Sequence, residues 1–259
     1  MRDPGLEQVI RTAGGVRGLS RLLGISQPAI SNWKRVPADR ILQAESVTGV
    51  PRAVIRPDLY GVAPMDEIDL DPVEQARADE YALLSLLLWR APSGDLLGRL
   101  SQLKGDASPL GMAHLQLGMA AAATKQREAE SEYFRLFIGL GRGELLPYAS
   151  YYLTGFLHER PLARVREDLA ELGVERIETA REPEDHIALL CEVMSGMISG
   201  QFTSDRIDEK TFFDRHLKPW AGRFFADLQA VAATDFYKAA GALGRIFIDI
   251  EAEAQTLPA

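Results

Sequence analysis

Residues 181–190, "REPEDHIALL", place three acidic residues and a histidine directly before an apolar run. Pro183 suits the first position of a helix, and acidic side chains in a first turn favour the positive end of the helix dipole. Glu184 and His186 are two residues apart, so on a helix they would point away from each other, which argues against a metal site. The stretch therefore predicts a helix that starts at Pro183. It leaves open whether the same residues also form a binding site.

Helical periodicity extends along the rest of the chain. Apolar residues recur at i, i+3 and i+4, and no alternating pattern bounded by turn signals indicates a strand. We therefore predict an all-α fold. The predicted helices span residues 5–13, 16–23, 27–34, 39–48, 51–55, 73–90, 94–103, 109–123, 126–138, 148–157, 161–172, 183–199, 208–215, 217–231 and 234–254.

Charge and helix-breaking residues divide the chain into two parts. Residues 1–62 hold nine Lys and Arg against five Asp and Glu, a net charge of +4, so the remainder carries −12 in a chain whose total is −8. The segment "GVAPMDEIDLDP", residues 61–72, combines glycine, prolines and acidic residues where the sign changes. We predict a small domain over residues 1–61, a linker over 62–71 and a larger helical domain over 72–259.

The cysteine content and the apolar segments indicate the compartment. The single cysteine, Cys191, excludes an internal disulfide and a cysteine-based zinc cluster, and its apolar neighbours predict a buried, unreactive thiol. The most apolar stretch, "YALLSLLLW" at residues 81–89, is shorter than the roughly 20 residues of a membrane span and is predicted to be a core helix. Because the first residues contain no apolar leader, we expect a cytoplasmic protein that does not contact a membrane.

Residues 16–35, "VRGLSRLLGISQPAISNWKR", have the pattern of a helix-turn-helix. Leu19 and Ile30 place apolar faces on two successive helices, Gly24 supplies a left-handed turn residue, and Ser26 can cap the second helix. The exposed face of that helix would carry Gln27, Ser31, Asn32, Lys34 and Arg35. Gln and Asn suit base edges, whereas Ser, Lys and Arg suit phosphates. The alternative is an ordinary pair of packed helices with solvated polar faces.

The residues that follow resemble the Cro-like, YdaS-type helix-turn-helix proteins. The shared features are Pro37 and Arg40, the turn Thr48–Gly49–Val50, and the end Arg56–Pro57–Asp58. The resemblance covers residues 6–61 and implies a DNA-binding fold. It also implies pairing as a homodimer on symmetric sites, since one copy alone would hold DNA weakly.

The larger part of the chain contains no motif of catalysis. It lacks a His-Glu-x-x-His pair, a phosphate-binding glycine loop followed by Lys and Ser or Thr, and a Gly-x-Ser-x-Gly turn. The glycine-rich "GLGRG", residues 139–143, follows no strand and is predicted to be a loop between helices. The single histidines His114, His158 and His216 are predicted to be structural or surface residues. We therefore expect a protein that is not an enzyme and has neither a metal site nor a cofactor.

Two stretches of this part, read together, resemble the TorD/DmsD family of redox-enzyme maturation chaperones. The first contains Tyr133, Leu136, Phe137 and Gly139, followed by Pro147, Tyr148, Ser150 and Tyr152, and the second contains Glu182, Pro183, Asp185 and His186. A late "HLKPW", residues 216–220, followed by "FY" at residues 236–237, also fits. The resemblance spans residues 73–252.

This second resemblance implies a helical bundle that binds the N-terminal signal segment, often twin-arginine, of a molybdopterin-dependent oxidoreductase such as formate dehydrogenase or a related reductase. It also implies that the apoprotein is held until its cofactor is loaded. The implied peptide-binding residues are Tyr148, Ser150, Tyr152, Glu182, Pro183, Asp185 and His186. Acidic and hydrogen-bonding groups would pair with the arginines, and the tyrosines would line a groove for the apolar helix of the segment.

The two resemblances together give two functional expectations. The first is a cytoplasmic chaperone for molybdoenzyme assembly with a DNA-binding-like domain fused in front. The alternative is a transcription regulator whose TorD-like domain senses unloaded client or signal peptide and whose residues 16–35 bind DNA.

Overall fold

The computed structural model describes residues 3–57, 70–174 and 182–254, apart from the side chain of Asp39. Within these residues every regular element is a helix, which confirms the predicted all-α fold. The chain divides into two compact units, Met1–Asp69 and Leu70–Ala259. The predicted linker, residues 62–71, lies outside the described residues except for its last two, as does Asp58.

The small unit is built from short helices around one core. These are α1 (Pro4–Thr12), α2 (Val16–Leu23), α3 (Gln27–Ser31), α4 (Ile41–Thr48), preceded by a 3₁₀ turn (Ala38–Arg40), and α5 (Arg52–Ile55). The buried core contains Leu6, Val9, Leu19, Leu23, Ile30, Val36, Ile41, Ala44, Val50 and Ile55.

The turn between α2 and α3 has the predicted helix-turn-helix geometry. Gly24 ends α2 with φ +65°, in the left-handed region that favours glycine. The Ser20 hydroxyl donates a hydrogen bond of 2.6 Å to the carbonyl of Ile25 and so fixes the turn. Two details were predicted wrongly: Ser26 takes the N-cap position without a side-chain capping bond, and α3 ends at Ser31 instead of residue 34.

The larger unit contains ten further α-helices among its described residues. They are α6 (Pro72–Trp89), α7 (Gly94–Leu100), α8 (Pro109–Ala123), α9 (Gln126–Tyr133), which continues as a π-helical turn (Phe134–Ile138), α10 (Ala149–Thr154), α11 (Arg160–Glu171), α12 (Ile187–Ile198), α13 (Glu209–His216), α14 (Ala221–Val231) and α15 (Asp235–Ala254). Helix α12 packs along α6, and α15 packs against α14 and α8. The largest fully buried side chains of this unit are Trp220, Tyr81, Tyr237, Phe212, Phe213, Phe224, Phe225 and Phe236.

Local sequence explains where α6 begins and how closely α14 and α15 approach. The Asp71 carboxylate accepts a hydrogen bond of 3.0 Å from the backbone N–H of Val73, ahead of which Pro72 opens the helix. Where α15 crosses α14, a Cβ atom on Gly241 would lie 2.6 Å from the backbone nitrogen of Gln229. A larger residue at position 241 would therefore push the two helices apart.

Buried polar groups tie the helices of the larger unit together. Arg77 on α6 donates two hydrogen bonds of 2.9 Å to the carboxylate of Glu251 on α15, which also accepts one of 3.0 Å from Tyr81. The predicted structural role of His216 fits its position, because it is buried with Nε2 2.7 Å from the carboxylate of Asp168 on α11. These contacts fix the outer helices against the core.

His114 on α8 makes the larger unit sensitive to pH. Its Nε2 lies 2.7 Å from a carboxylate oxygen of Glu80 on α6, and this hydrogen bond, together with the carboxylate charge, raises the pKa of His114. Because the folded-state pKa lies above the unfolded value, the contribution to stability is complete below about pH 6.5 and is lost as the pH rises through the raised pKa. The difference in free energy of unfolding between the wild type and His114→Gln should therefore shrink in denaturant titrations as the pH rises from about 6 through the raised pKa of His114. A difference that stays constant over this range would contradict the assignment.

Candidate functional site: a backbone junction beside a groove

The two stretches singled out from the sequence meet in a short antiparallel bridge that pairs Tyr148 with His186. The backbone N–H of Ile187 donates to the carbonyl of Pro147 at 2.8 Å, and the N–H of Ala149 donates to the carbonyl of Asp185 at 3.0 Å. We call this arrangement, residues 147–150 with residues 185–187, the junction. It brings together residues that are more than thirty positions apart in the chain.

Asp185 is the buried centre of the junction. Its side chain is completely inaccessible, and one carboxylate oxygen accepts a hydrogen bond of 2.7 Å from the backbone N–H of Ser150. This bond satisfies a donor in the first turn of α10, as a capping residue would, although Asp185 comes from a distant segment. The other carboxylate oxygen and the Ser150 hydroxyl are buried without a hydrogen-bond partner among the described residues. Both side chains therefore point into the protein.

His186 links the junction to α12 and to α6. Its Nδ1 accepts a hydrogen bond of 3.1 Å from the backbone N–H of Ala188, which makes His186 the N-cap of α12. The ring lies between two aromatic rings, with centroid distances of 5.7 Å to Trp89 and 5.2 Å to Tyr148. Burial lowers the pKa of His186 to about 4, so the ring is neutral at neutral pH and can accept this bond.

The predicted helix start at Pro183 is wrong, since α12 begins at Ile187. The residues just before Ile187 pair with the other side of the junction, and the histidine side chain supplies the cap that the acidic first turn was expected to provide. The position of the helix start thus depends on a partner segment that is distant in sequence.

The remaining predicted site residues divide between two places. The half-buried Tyr148 donates its hydroxyl proton to the carboxylate of Glu182, and Pro183, also half-buried, follows at the same edge. Tyr152 instead contacts α14, where its hydroxyl donates a hydrogen bond of 3.0 Å to Asp227. The structure therefore gathers six of the seven predicted residues around the junction and places Tyr152 beside another helix. Their role in binding a peptide remains a prediction.

A groove of about 340 Å³ lies between α6 and α12 beside the junction. It is lined by Ala82, Ser85, Leu86, Trp89, Arg90, Leu189 and Glu192. The Trp89 side chain, whose ring touches His186, is 44% exposed, and Leu86 is 37% exposed. The Ser85 hydroxyl donates a hydrogen bond of 3.0 Å to the Glu192 carboxylate and orients it at the groove wall. The groove thus combines apolar surface with one positioned negative charge, at Glu192, and the positive charge of Arg90.

Sequence reasoning missed these groove residues because α6 was predicted to be a core helix. The buried face of α6 carries Tyr81, Leu84 and Leu88. Leu86 and Trp89 belong to a second apolar stripe with the spacing expected of an exposed helix face. The available signal in the sequence was that α6 is apolar on two sides. The structure shows that only one of them is buried in the core.

A larger groove, about 660 Å³, lies along α8, α14 and α15 and shares no lining residue with the junction or with the groove between α6 and α12.

None of the helices in the described part of the chain is both long enough and apolar enough to cross a membrane. Cys191 is fully buried, as predicted, and burial raises the pKa of its thiol.

The small unit presents its predicted DNA-contacting residues on the surface. All five are exposed: Gln27, Ser31, Asn32, Lys34 and Arg35. Gln27 opens α3 and Ser31 closes it, whereas Lys34 and Arg35 follow the helix. Their contact with DNA remains a prediction.

Two family models match the chain. The model described as "Nitrate reductase delta subunit" matches residues 103–226, and the model described as "Bacterial toxin YdaS" matches residues 6–64. These matches, with the relatives below, confirm both resemblances stated from the sequence.

Curated relatives and one solved structure extend the comparison. The chain is 30% identical over 132 residues to "Chaperone protein TorD" of Vibrio cholerae, covering 48% of this chain and 60% of the relative. It is 29% identical over 109 residues to the protein of the same name from Aliivibrio fischeri, covering 38% of this chain and 51% of the relative. A solved structure from Archaeoglobus fulgidus, titled "Putative Redox Enzyme Maturation Protein", superposes with a TM-score of 0.44 at 20% identity, over 68% of this chain and 93% of that one. The chain spans at most about 60% of the length of these two curated relatives.

Proposed function

We propose that the chain is a maturation chaperone for a molybdopterin-dependent oxidoreductase and that it binds the client's N-terminal signal segment in the groove between α6 and α12. The observation that supports this most directly is the exposed Trp89, which joins the groove to the junction whose motif residues carry the resemblance to TorD. The relatives named TorD are described as chaperones, which fits a role without turnover.

The groove suits the apolar part of a signal segment. Leu86, Trp89 and Leu189 offer large apolar side chains, and the volume of about 340 Å³ falls within the range of sites that receive a ligand. An amphipathic helix laid into such a groove would bury apolar side chains at helical spacing. Trp89, as a large aromatic side chain at the centre of the contact, would contribute most of the binding energy.

The charges around the groove suit the arginines of the segment. Glu192 lies at the groove wall with its carboxylate oriented by Ser85, and Glu182 lies at the edge of the junction. A carboxylate can bind a guanidinium through two parallel hydrogen bonds. Since residues 63–259 carry a net charge of −12, long-range attraction would also favour a basic segment.

The buried motif residues would act on the peptide indirectly. Asp185 and Ser150 have no accessible side-chain surface, and His186 is 5% exposed. Asp185 fixes the start of α10, and the His186 ring holds Tyr148 and Trp89 in place. We therefore assign direct contacts to Trp89, Glu192, Tyr148 and Glu182, and a positioning role to the buried residues.

Maturation of the client in cells tests this function. Deleting the gene should lower the activity of at least one molybdopterin oxidoreductase, and the full-length protein should restore it. Trp89→Ala should fail to restore it, whereas Met112→Ala, which removes a side chain of similar exposure on α8, should succeed. Full activity of every such oxidoreductase in the deletion strain would contradict the proposal.

We also propose DNA binding by the small unit, as part of a regulator that senses unloaded client. The support is the fixed helix-turn-helix turn, the five exposed polar side chains at and after α3, and the net charge of +4 over residues 1–62. DNA binding would depend on phosphate contacts and fall with rising salt.

Lys34→Glu tests DNA binding by the full-length chain. Duplexes selected from random sequence should bind the wild type, and the variant should bind them at least about tenfold more weakly, with a smaller dependence on salt. Arg11→Glu, the same charge change at an exposed position on α1, is the control and should bind more tightly than Lys34→Glu. If selection enriches no duplex, or if both variants lose affinity equally, residues 27–35 do not direct DNA binding.

A further inference from the structure

We propose that the larger unit carries a second docking surface, on α10 and the glycine loop before it, for a polypeptide segment in which carboxylates alternate with large apolar side chains. Its charge preference is opposite to that of the groove between α6 and α12. The proposal goes beyond the proposed function and does not depend on it.

The surface is organised around two arginines that lie over neighbouring tyrosine rings. The Cζ atom of Arg142, in the glycine loop, lies 5.9 Å from the ring centroid of Tyr151, and that of Arg223, on α14, lies 5.0 Å from the ring centroid of Tyr152. The two tyrosine rings meet edge to face with centroids 6.0 Å apart. We call these four residues the arginine–tyrosine array.

Neither arginine of the array forms an ion pair with any residue that the structure describes. Arg223 donates one hydrogen bond to the backbone carbonyl of Tyr152, and the nearby Asp227 accepts from the Tyr152 hydroxyl instead of from the guanidinium. By contrast, Arg135 of the same unit is paired with Glu132 at 2.9 Å. The array therefore holds two positive charges that have no carboxylate partner among the residues described.

The contact with the tyrosine rings prepares these guanidinium groups for a carboxylate. A guanidinium held against an aromatic face keeps its plane fixed while N–H groups at its edge remain available for hydrogen bonds. Less side-chain entropy is then lost when a carboxylate binds, and the bond that forms is charge-assisted. The array is thus a pair of pre-organised carboxylate sites on a surface of otherwise negative net charge.

Exposed apolar side chains lie next to the array along the chain. Leu140, two residues before Arg142, is 98% exposed, and Phe156, just after α10, is 70% exposed. Leu153, the residue after Tyr152, is 41% exposed. Arginine and aromatic residues beside exposed apolar residues have the composition of protein interfaces. The combination determines the chemistry of the partner: apolar side chains to cover these three, and carboxylates to meet the two arginines.

Charge complementarity separates this surface from the signal-segment site. A twin-arginine segment would place like charges against Arg142 and Arg223, at a cost that favours the other groove. The net negative charge of the unit disfavours an acidic amphipathic segment at long range, so the two arginines of the array would supply the local attraction that such a segment needs. The occupant proposed here is therefore an acidic, apolar segment of a partner protein.

Two synthetic 18-residue peptides test the proposal with the full-length protein. They share leucines at i, i+3, i+4 and i+7 spacing and differ only in carrying Glu or Lys at the intervening charged positions. Binding is measured by fluorescence anisotropy of the labelled peptides at low salt. We expect Arg142→Glu with Arg223→Glu to weaken binding of the Glu peptide roughly tenfold and not to weaken binding of the Lys peptide, which can use the groove between α6 and α12. Phe156→Ser should also weaken binding of the Glu peptide.

The control is Arg99→Glu with Arg127→Glu, which makes the same change in net charge at exposed positions on α7 and α9 and should bind the Glu peptide more tightly than the Arg142→Glu and Arg223→Glu variant. No binding of the Glu peptide by the wild type, an unchanged affinity in the Arg142→Glu and Arg223→Glu variant, or an equal loss of affinity in the control pair would overturn the proposal. A twin-arginine segment should still bind the Arg142/Arg223 variant, so failure of the second surface is distinguishable from failure of the proposed function.

Discussion

Asp185→Ala is expected to lower the free energy of unfolding of the larger unit by about 2 kcal/mol, because a buried backbone donor loses its charged acceptor. The Ser150 N–H lies in the first turn of α10 and is reached by the Asp185 carboxylate at 2.7 Å. Alanine would leave this donor without an acceptor. It would also leave a small cavity, because the Asp185 side chain is completely buried. Urea unfolding followed by circular dichroism measures the loss.

Two matched variants distinguish the stability lost with the hydrogen bond from the stability lost with the side-chain volume. Asp185→Asn keeps an acceptor oxygen and should lose less than the alanine variant. Ser150→Ala removes a hydroxyl that bonds to no described residue and should change stability by less than about 1 kcal/mol. If Asp185→Ala unfolds within about 0.5 kcal/mol of the wild type, the carboxylate is not the anchor of the junction.

Trp89→Ala is expected to weaken binding of a twin-arginine signal segment by roughly a hundredfold, the loss typical of a central aromatic contact. Because Trp89 is 44% exposed in the free protein, the variant should fold normally, and its effect should appear in affinity. Isothermal titration calorimetry with the full-length protein and a client signal segment gives this affinity directly. Met112→Ala, with 46% exposure on α8, is the control and should bind like the wild type.

Glu192→Gln tests how much of the affinity for the segment comes from the charge of the groove and how much from its apolar surface. The variant should lose roughly tenfold in affinity for a segment with two arginines and much less for a segment with two glutamines at those positions. Equal losses for the two segments would place the arginines away from Glu192.

Most of the fold was predictable because it depends on local signals. The left-handed Gly24, the buried faces of α2 and α3, and the burial of Cys191 follow from residue type and helical spacing alone. The resemblance to the TorD/DmsD family grouped Tyr148 and His186 in one site, and the structure shows the backbone bridge that joins these two residues.

The rest depended on contacts between distant residues. Pro183 was predicted to start a helix, but the bridge to residues 147–149 delays the start to Ile187. Asp185 and His186 were expected to face a peptide, whereas their carboxylate and ring nitrogen bond to backbone groups of α10 and α12. Trp89 was assigned to a core helix, and only the packing of α12 against α6 shows which of its apolar stripes stays open.

The most direct test of the central claim is binding of signal segments to the full-length protein. The N-terminal segments of all molybdopterin oxidoreductases of the source organism would be fused to a soluble carrier and titrated against the wild type and Trp89→Ala. The account predicts that at least one segment binds the wild type in the micromolar range or better, and that this segment binds Trp89→Ala roughly a hundredfold more weakly. If no segment binds, or if the segment that binds has the same affinity for both proteins, the groove between α6 and α12 is not the signal-segment site.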